Sequence, residues 1–364
     1  MSMKKILVAL TIIFSTITYA AEGEKKVAAN FNDYSVSYML PKTVIDIDIE
    51  LSLTQLKAGP YANYSQKYLG IPANVTTDSK SWTLVGVSAT VSRIPDSEKI
   101  YNVQLKSGAT PYIYIDEEGV LLAVNATPML ENKEEIVVGE SEMTNSALDD
   151  KSYSYALTEE MLLSGSSIRM AELAAKQIYR IRESRTDLIT GESDQKFDGE
   201  ALKLMLQQLD EQESRLTVMF LGTKQTQRKT IRVRYIPEGE CEGVVVARVS
   251  EKDGLVSSDN LSGEPIYISL DNVVRATYPT DSKGLPFVLP ENSVIYNIPG
   301  SAQLRLNYQG EDLYNKKVDL TQFGIKFGLA PKLFVDKKLQ TYMVLHSTTG
   351  AIKELGQKTL TEEK

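Results

Sequence analysis

Residues 43–53 read TVIDIDIELSL, and the alternation is strict: Ile45, Ile47, Ile49, Leu51 and Leu53 fall on one side, Asp46, Asp48 and Glu50 on the other. Successive side chains point to opposite faces of a strand, so this period of two predicts a half-buried β-strand with an acidic outer face. Working outward, further strand signals follow in WTLVGVSATVS, IYNVQLKS, TPYIYI and GVLLAVN, with a turn at Asp116–Gly119. Between them GPYANYSQKYLG sets Tyr61, Tyr64, Tyr68 and Leu69 at helical spacing, which predicts a short helix covering a sheet.

Residues 131–157 turn acidic and weakly apolar, the composition of a solvated linker. Two amphipathic helices follow. The first carries Ile168, Ala171, Ala175, Ile178 and Ile181 on one stripe; the second opens with Asp198 as N-cap and carries Leu202, Met205, Leu206, Leu209 and Leu216. They make an αα-hairpin over 158–216. Strand signals then return in LTVMFLG, KTIRVRYIP, GVVVARVS, PIYISL, VIYNIP, AQLRLNY and TYMVLHS. The expected fold class is therefore α+β, mostly β: two antiparallel, sandwich-like β domains, 31–130 and 217–355, with the helical hairpin between them and a polar tail at 356–364.

The chain opens MSMKKILVALTIIFSTITYAAEG, in which Lys4 and Lys5 precede a short apolar run and small residues. That is the pattern of a secretory leader, residues 1–20, cut after Ala20 or Ala21. The expected location is periplasmic, cell-surface or secreted, with no membrane span in the mature chain. Lys and Arg number 40 against 48 Asp and Glu, a formal charge of −8, which becomes more negative once Lys4 and Lys5 leave. A net acidic surface repels phosphate backbones and argues against a nucleic-acid partner. One cysteine, Cys241, cannot make an internal disulfide, and Glu238, Glu240 and Glu242 around it disfavour a thiolate.

Candidate sites are few. IYRIRESRTDLITGESD, residues 178–194, gathers Arg182, Arg185, Asp187, Glu192 and Asp194 at a helix end. Those arginines either pair with the nearby acids to fix the corner, or present a fork to a planar anion on a glycan or peptide. The residues before Gly191 lack the alternating oxygens of an EF-hand. Asp46, Asp48 and Glu50 stand about 7 Å apart along a strand, a spacing a carboxylate pair of a glycosidase could use; every exposed acidic strand meets that test, so a solvated or Lys/Arg-paired edge is the preferred reading. His346 is the only histidine and reads as a half-buried strand residue, so no His/Cys zinc cluster is available. The 19 tyrosines read mainly as core or strand-edge residues with wet hydroxyls.

The segments YMLPKTVIDIDIE, AGPYANYSQKYLGI, IYRIRESRTDLITGESD, DGEALKLMLQQLDEQESRLTVMFLG, VIYNIPGSAQLRL and QFGIKFGLAPKLF, in this order from about Tyr38 to about Leu355, resemble an uncharacterised exported domain-of-unknown-function family of Bacteroidetes. The resemblance implies export and no particular chemistry. The residues themselves favour a non-enzymatic cell-envelope protein, a scaffold or binding module for protein or glycan partners, without cofactor or metal. The alternative is a carboxylate-based glycoside hydrolase, which needs neither histidine, cysteine nor cofactor.

Overall fold

The computed structural model describes residues 25–28, 35–103, 112–128, 156–192, 198–280, 282–288, 292–336 and 339–359. The expected leader, nearly all of the acidic linker, and Asp194 lie outside the described residues. The strands are β1 (Lys25–Ala28), β2 (Val36–Lys57), β3 (Ser79–Val103), β4 (Tyr112–Ile115), β5 (Leu121–Val124), β6 (Thr223–Tyr235), β7 (Cys241–Ser250), β8 (Gly254–Val256), β9 (Glu264–Val274), β10 (Val294–Tyr308), β11 (Glu311–Leu329), β12 (Leu339–Leu345) and β13 (Ile352–Thr359). The helices are α1 (Ser65–Leu69), α2 (Glu159–Leu163), α3 (Ser167–Thr190) and α4 (Gly199–Leu221). The protein is mostly β, built on antiparallel sheets, and none of the described sheets closes into a barrel.

A three-stranded sheet, β3-β2-β6, packs on a five-stranded one, β11-β10-β9-β7-β8. Ile45, Ile47, Ile49 and Leu51 of β2 are fully buried there against Ile266, Ile268 and Leu270 of β9 and Leu304 and Leu306 of β10. Each such side chain contributes about 1.5–3 kcal/mol through the apolar surface it removes from water. A second core lies where the sheet β1-β4-β5-β12-β13 meets the other ends of the same long strands: Tyr38 and Leu40 of β2, and Val294 and Tyr296 of β10.

Segments 31–130 and 217–355 thus share their sheets. β6 extends the sheet begun by β2 and β3, and β12 pairs with β5. The long strands bend where the cores meet. In β2–β3 the register slips between Met39 and Pro41, with Pro41 opposite Pro95; in β10–β11 it slips between Ile298 and Gly300, around Pro299. Proline removes a ladder donor, and a bulge turns the strand. Thr43 locks the crossing: its N–H donates to Thr321 Oγ1 (3.0 Å), and Gln322 Nε2 donates to the Thr43 carbonyl (2.6 Å).

Several expectations are corrected. LTVMFLG is the end of α4, because Leu216, Met219 and Phe220 recur at helical spacing and are buried among Ile178, Ile181 and Tyr61. β11, whose first half is largely polar, and β13, which runs on into the expected polar tail, are paired along β10 and β12, and Leu320 and Phe323 of β11 enter the main core; the tail's residues 356–359 face Leu339–Tyr342. α1 packs on the helices α3 and α4, not on a sheet. β2 is the central strand of its sheet, so its acids do not lie at an edge. His346 follows β12 in a turn, where its N–H donates to the Ala351 carbonyl (2.8 Å).

Candidate functional site

Among the described residues, the hairpin α3–α4 rests on the body at its base only. Tyr61, Leu69 and Met161 meet Ala171, Ala174, Ile178 and Ile181 of α3 and Leu216, Met219 and Phe220 of α4. The last carbonyls of α4 are covered by the chain after β2: Tyr61 N–H donates to Met219 O (2.8 Å), and Asn74 and Val75 N–H both donate to Leu221 O (3.1 and 3.0 Å). Helix ends leave such carbonyls unpaired, so these bonds dock α4 onto the sheet layer.

Beyond Ile181 no residue of α3 is buried, and α4 has none buried before Leu216. Charge holds the helices there. Arg182 Nε donates to Glu213 Oε1 (2.7 Å), and Arg185 binds Glu213 with one guanidinium nitrogen while its Nε lies 3.1 Å from Asp210 Oδ1 in a poorly aligned approach. Arg182 also lies over the Tyr179 ring, 5.6 Å from its centre. The two arginines are three apart on α3 and the two acids three apart on α4, so both pairs face each other across the hairpin. The expected pairing with Asp187 and Glu192 is absent: positions two apart on a helix look away from one another, and Asp187 points elsewhere. Gly191 does terminate α3 in the left-handed region (φ 78°), and Glu192 N–H donates to the Asp187 carbonyl (3.0 Å), as a helix C-cap requires.

Replacing Arg182 and Arg185 together by alanine leaves Glu213, whose side chain is 16% exposed, without a cation. The expected loss is about 1–3 kcal/mol, read as a lowered urea midpoint. An unchanged midpoint would mean that these pairs do not hold the hairpin.

Past these pairs the helices enclose an open hollow of ≈ 650 Å³. Leu188 of α3 and Leu204, Met205 and Leu209 of α4 line it, with Asp187 and Glu192 at its rim. Of the residues singled out from sequence, the hollow takes Asp187 and Glu192; Arg182 and Arg185 belong to the inter-helix pairs. Arg185, Asp210 and Glu213 also line a smaller hollow of ≈ 430 Å³ toward the base, where the Thr217 hydroxyl is buried without a hydrogen-bond partner. Met205 and Leu209 belong to the stripe read from the sequence, whereas Leu188 and Leu204 were not singled out, and the hollow they line together was not foreseen.

The acidic ladder is matched to arginines on β6. Arg234 Nε and a terminal nitrogen reach Asp46 (2.7 and 3.1 Å), Arg232 does the same to Asp48 (2.7 and 2.9 Å), and Arg228 reaches Glu50 (3.1 Å). Asp46 and Asp48 are 3% and 4% exposed. Burial pushes the Asp46 carboxyl up, but hydrogen bonds from Arg234 and Ser92 and the Arg234 and Arg232 charges outweigh it, so its pKa lies below the usual carboxylate value. Cys241 is half-buried, and the Tyr235 hydroxyl approaches its Sγ at 3.5 Å. Among the described residues no group of three His, Cys, Asp or Glu side chains is placed to hold a metal. Among the same residues no helix is long and apolar enough to cross a membrane.

Neither a search of curated proteins nor one of solved structures finds a match. The family model described as Domain of unknown function (DUF4831) matches residues 34–353, and the chain belongs to that family.

Proposed function

We propose that this protein is an exported, non-enzymatic module of the cell envelope that binds a partner through the free end of its α3–α4 hairpin. The observation that carries the reading is the hollow at that end, where Leu204 is 58% and Met205 37% exposed on helices that, among the described residues, touch the body only at their base. Exposed apolar surface gathered in one concavity marks a contact site. The acids that a carboxylate hydrolase would use on β2 are engaged by Arg228, Arg232 and Arg234, which favours binding over catalysis. The leader-like residues 1–20 and the resemblance to an exported Bacteroidetes family support a periplasmic or cell-surface location.

The test is a pull-down from envelope extract with the immobilised mature chain, beside a panel of envelope and dietary glycans assayed for hydrolysis. Specific retention of an envelope component without glycan cleavage is expected. Cleavage that disappears in Asp187→Asn/Glu192→Gln would overturn the reading in favour of a hydrolase. Sequencing the N-terminus of the chain recovered outside the cytoplasm checks export, with Ala21 or Glu22 expected first.

A further inference from the structure

We infer that the hollow at the tip of the hairpin docks a short basic segment of a protein partner, whose aliphatic side chains enter it while a lysine or arginine meets Asp187 and Glu192. The inference rests on the binding-module reading above and names the partner's chemistry. The hollow's apolar lining is Leu188, Leu204, Met205 and Leu209, with the uncharged Ser184 and Gln208 beside them. Among the described residues, the charged ones lining it are Asp187 and Glu192, with no cation among them. The nearest arginines do not cancel that charge, because Arg182 and Arg185 are turned to Glu213 and Asp210.

The helix adds to the same sign. α3 ends at Thr190–Gly191 beside the rim, and the C-terminal end of a helix carries a partial negative charge. The whole chain is net acidic, −8. Such a rim repels sulfated or uronic glycans. A neutral sugar finds no aromatic ring on which to stack among the described residues of the lining. Two-fold pairing of this hollow with a second copy would set the acids of both copies against each other. A hollow of ≈ 650 Å³ has room for several aliphatic side chains, and an amphipathic helix with apolar anchors and a flanking cation fits a groove between two helices.

The experiment is fluorescence-anisotropy titration of the full mature chain with a short labelled peptide of leucine and lysine at helical spacing, and with its counterpart carrying glutamate for lysine. The basic peptide binds and the acidic one does not. Asp187→Asn/Glu192→Gln weakens binding about tenfold and flattens its salt dependence. Met205→Lys, a change at an exposed position that leaves the melting curve in place, weakens it about tenfold or more by setting a cation in the hollow.

Equal binding of both peptides, or undiminished binding by Met205→Lys, would overturn the inference. So would sedimentation showing a dimer that Leu204→Lys dissolves, which would assign the hollow to a second copy. An envelope component retained equally by wild type and Met205→Lys, with no basic-peptide binding, defeats this inference and leaves the binding-module reading standing. Retention of nothing by either chain defeats that reading itself.

Discussion

Gly59→Val unfolds at a temperature lower by about 6 °C or more, corresponding to a loss of about 3 kcal/mol. Gly59 lies where the chain leaves β2 and passes under the end of α4. A Cβ built there falls 2.7 Å from the Val218 carbonyl oxygen and closer still to that of Met219. Both obstacles are helix backbone, which cannot rotate aside as a side chain can. Relief requires moving α4, and that movement breaks the bond from Tyr61 N–H to Met219 O and strains those from Asn74 and Val75 to Leu221 O. The effect is therefore local before it is global. Hydrogen exchange in the variant should accelerate first at Tyr61, Asn74 and Val75, while the amides of β9 and β10 remain protected. Scanning calorimetry that places Gly59→Val within a degree or two of wild type would mean that the helix is not seated against the strand as tightly as this geometry requires.

The same junction shows what the sequence could and could not say. VIDIDIELSL announces β2 because one face is wholly aliphatic, and the acids opposite reveal themselves as structural only when β6 brings Arg232 and Arg234 into register. A single strand does not disclose its neighbour. The segment LTVMFLG has the β-branched and aromatic composition of a strand ending at a glycine, yet Leu216, Met219 and Phe220 continue the period of α4, and burial against Tyr61 and Ile178 decides in favour of the helix. β11 and β13 escaped for the opposite reason: the first half of β11 and most of β13 are polar and exposed, and Gly324 and Gly328 interrupt the apolar residues of the second half of β11, so the backbone ladders define these strands more plainly than any hydrophobic pattern.

At the candidate site the arginines drew attention because they are charged and clustered. Their partners, Asp210 and Glu213, lie on the next helix at a spacing the sequence contains but does not assign. The hollow was less legible still. It is lined by Leu188 of α3 and by Leu204, Met205 and Leu209 of α4, and is a property of two helices together and of neither alone.

Removing the cation opposite a buried acid of β2 is the second large effect. In Arg232→Ala, Asp48, 4% exposed in the intact protein, loses both guanidinium hydrogen bonds. Breaking a fully buried pair from one side costs about 3–5 kcal/mol, and the 31% exposure of the Arg232 side chain places this case toward the lower end, about 3 kcal/mol. The double variant Arg232→Leu/Asp48→Leu recovers most of the loss, since no charge is then left without its counterpart.

Asp46 adds a dependence on pH. Its folded-state carboxyl titrates below the unfolded value of about 3.9, so the unfolded chain takes up the proton first. The stabilisation from its pairing with Arg234 is complete above that value and disappears as pH falls through the lower folded value. Urea midpoints should hold steady from neutrality to about pH 5 and then drop. In Arg234→Ala, burial of Asp46 is no longer offset by the guanidinium, so its pKa rises and the drop begins at higher pH. If acid titration of Arg234→Ala follows the wild-type profile, the Asp46 carboxylate owes its protonation state to something other than Arg234.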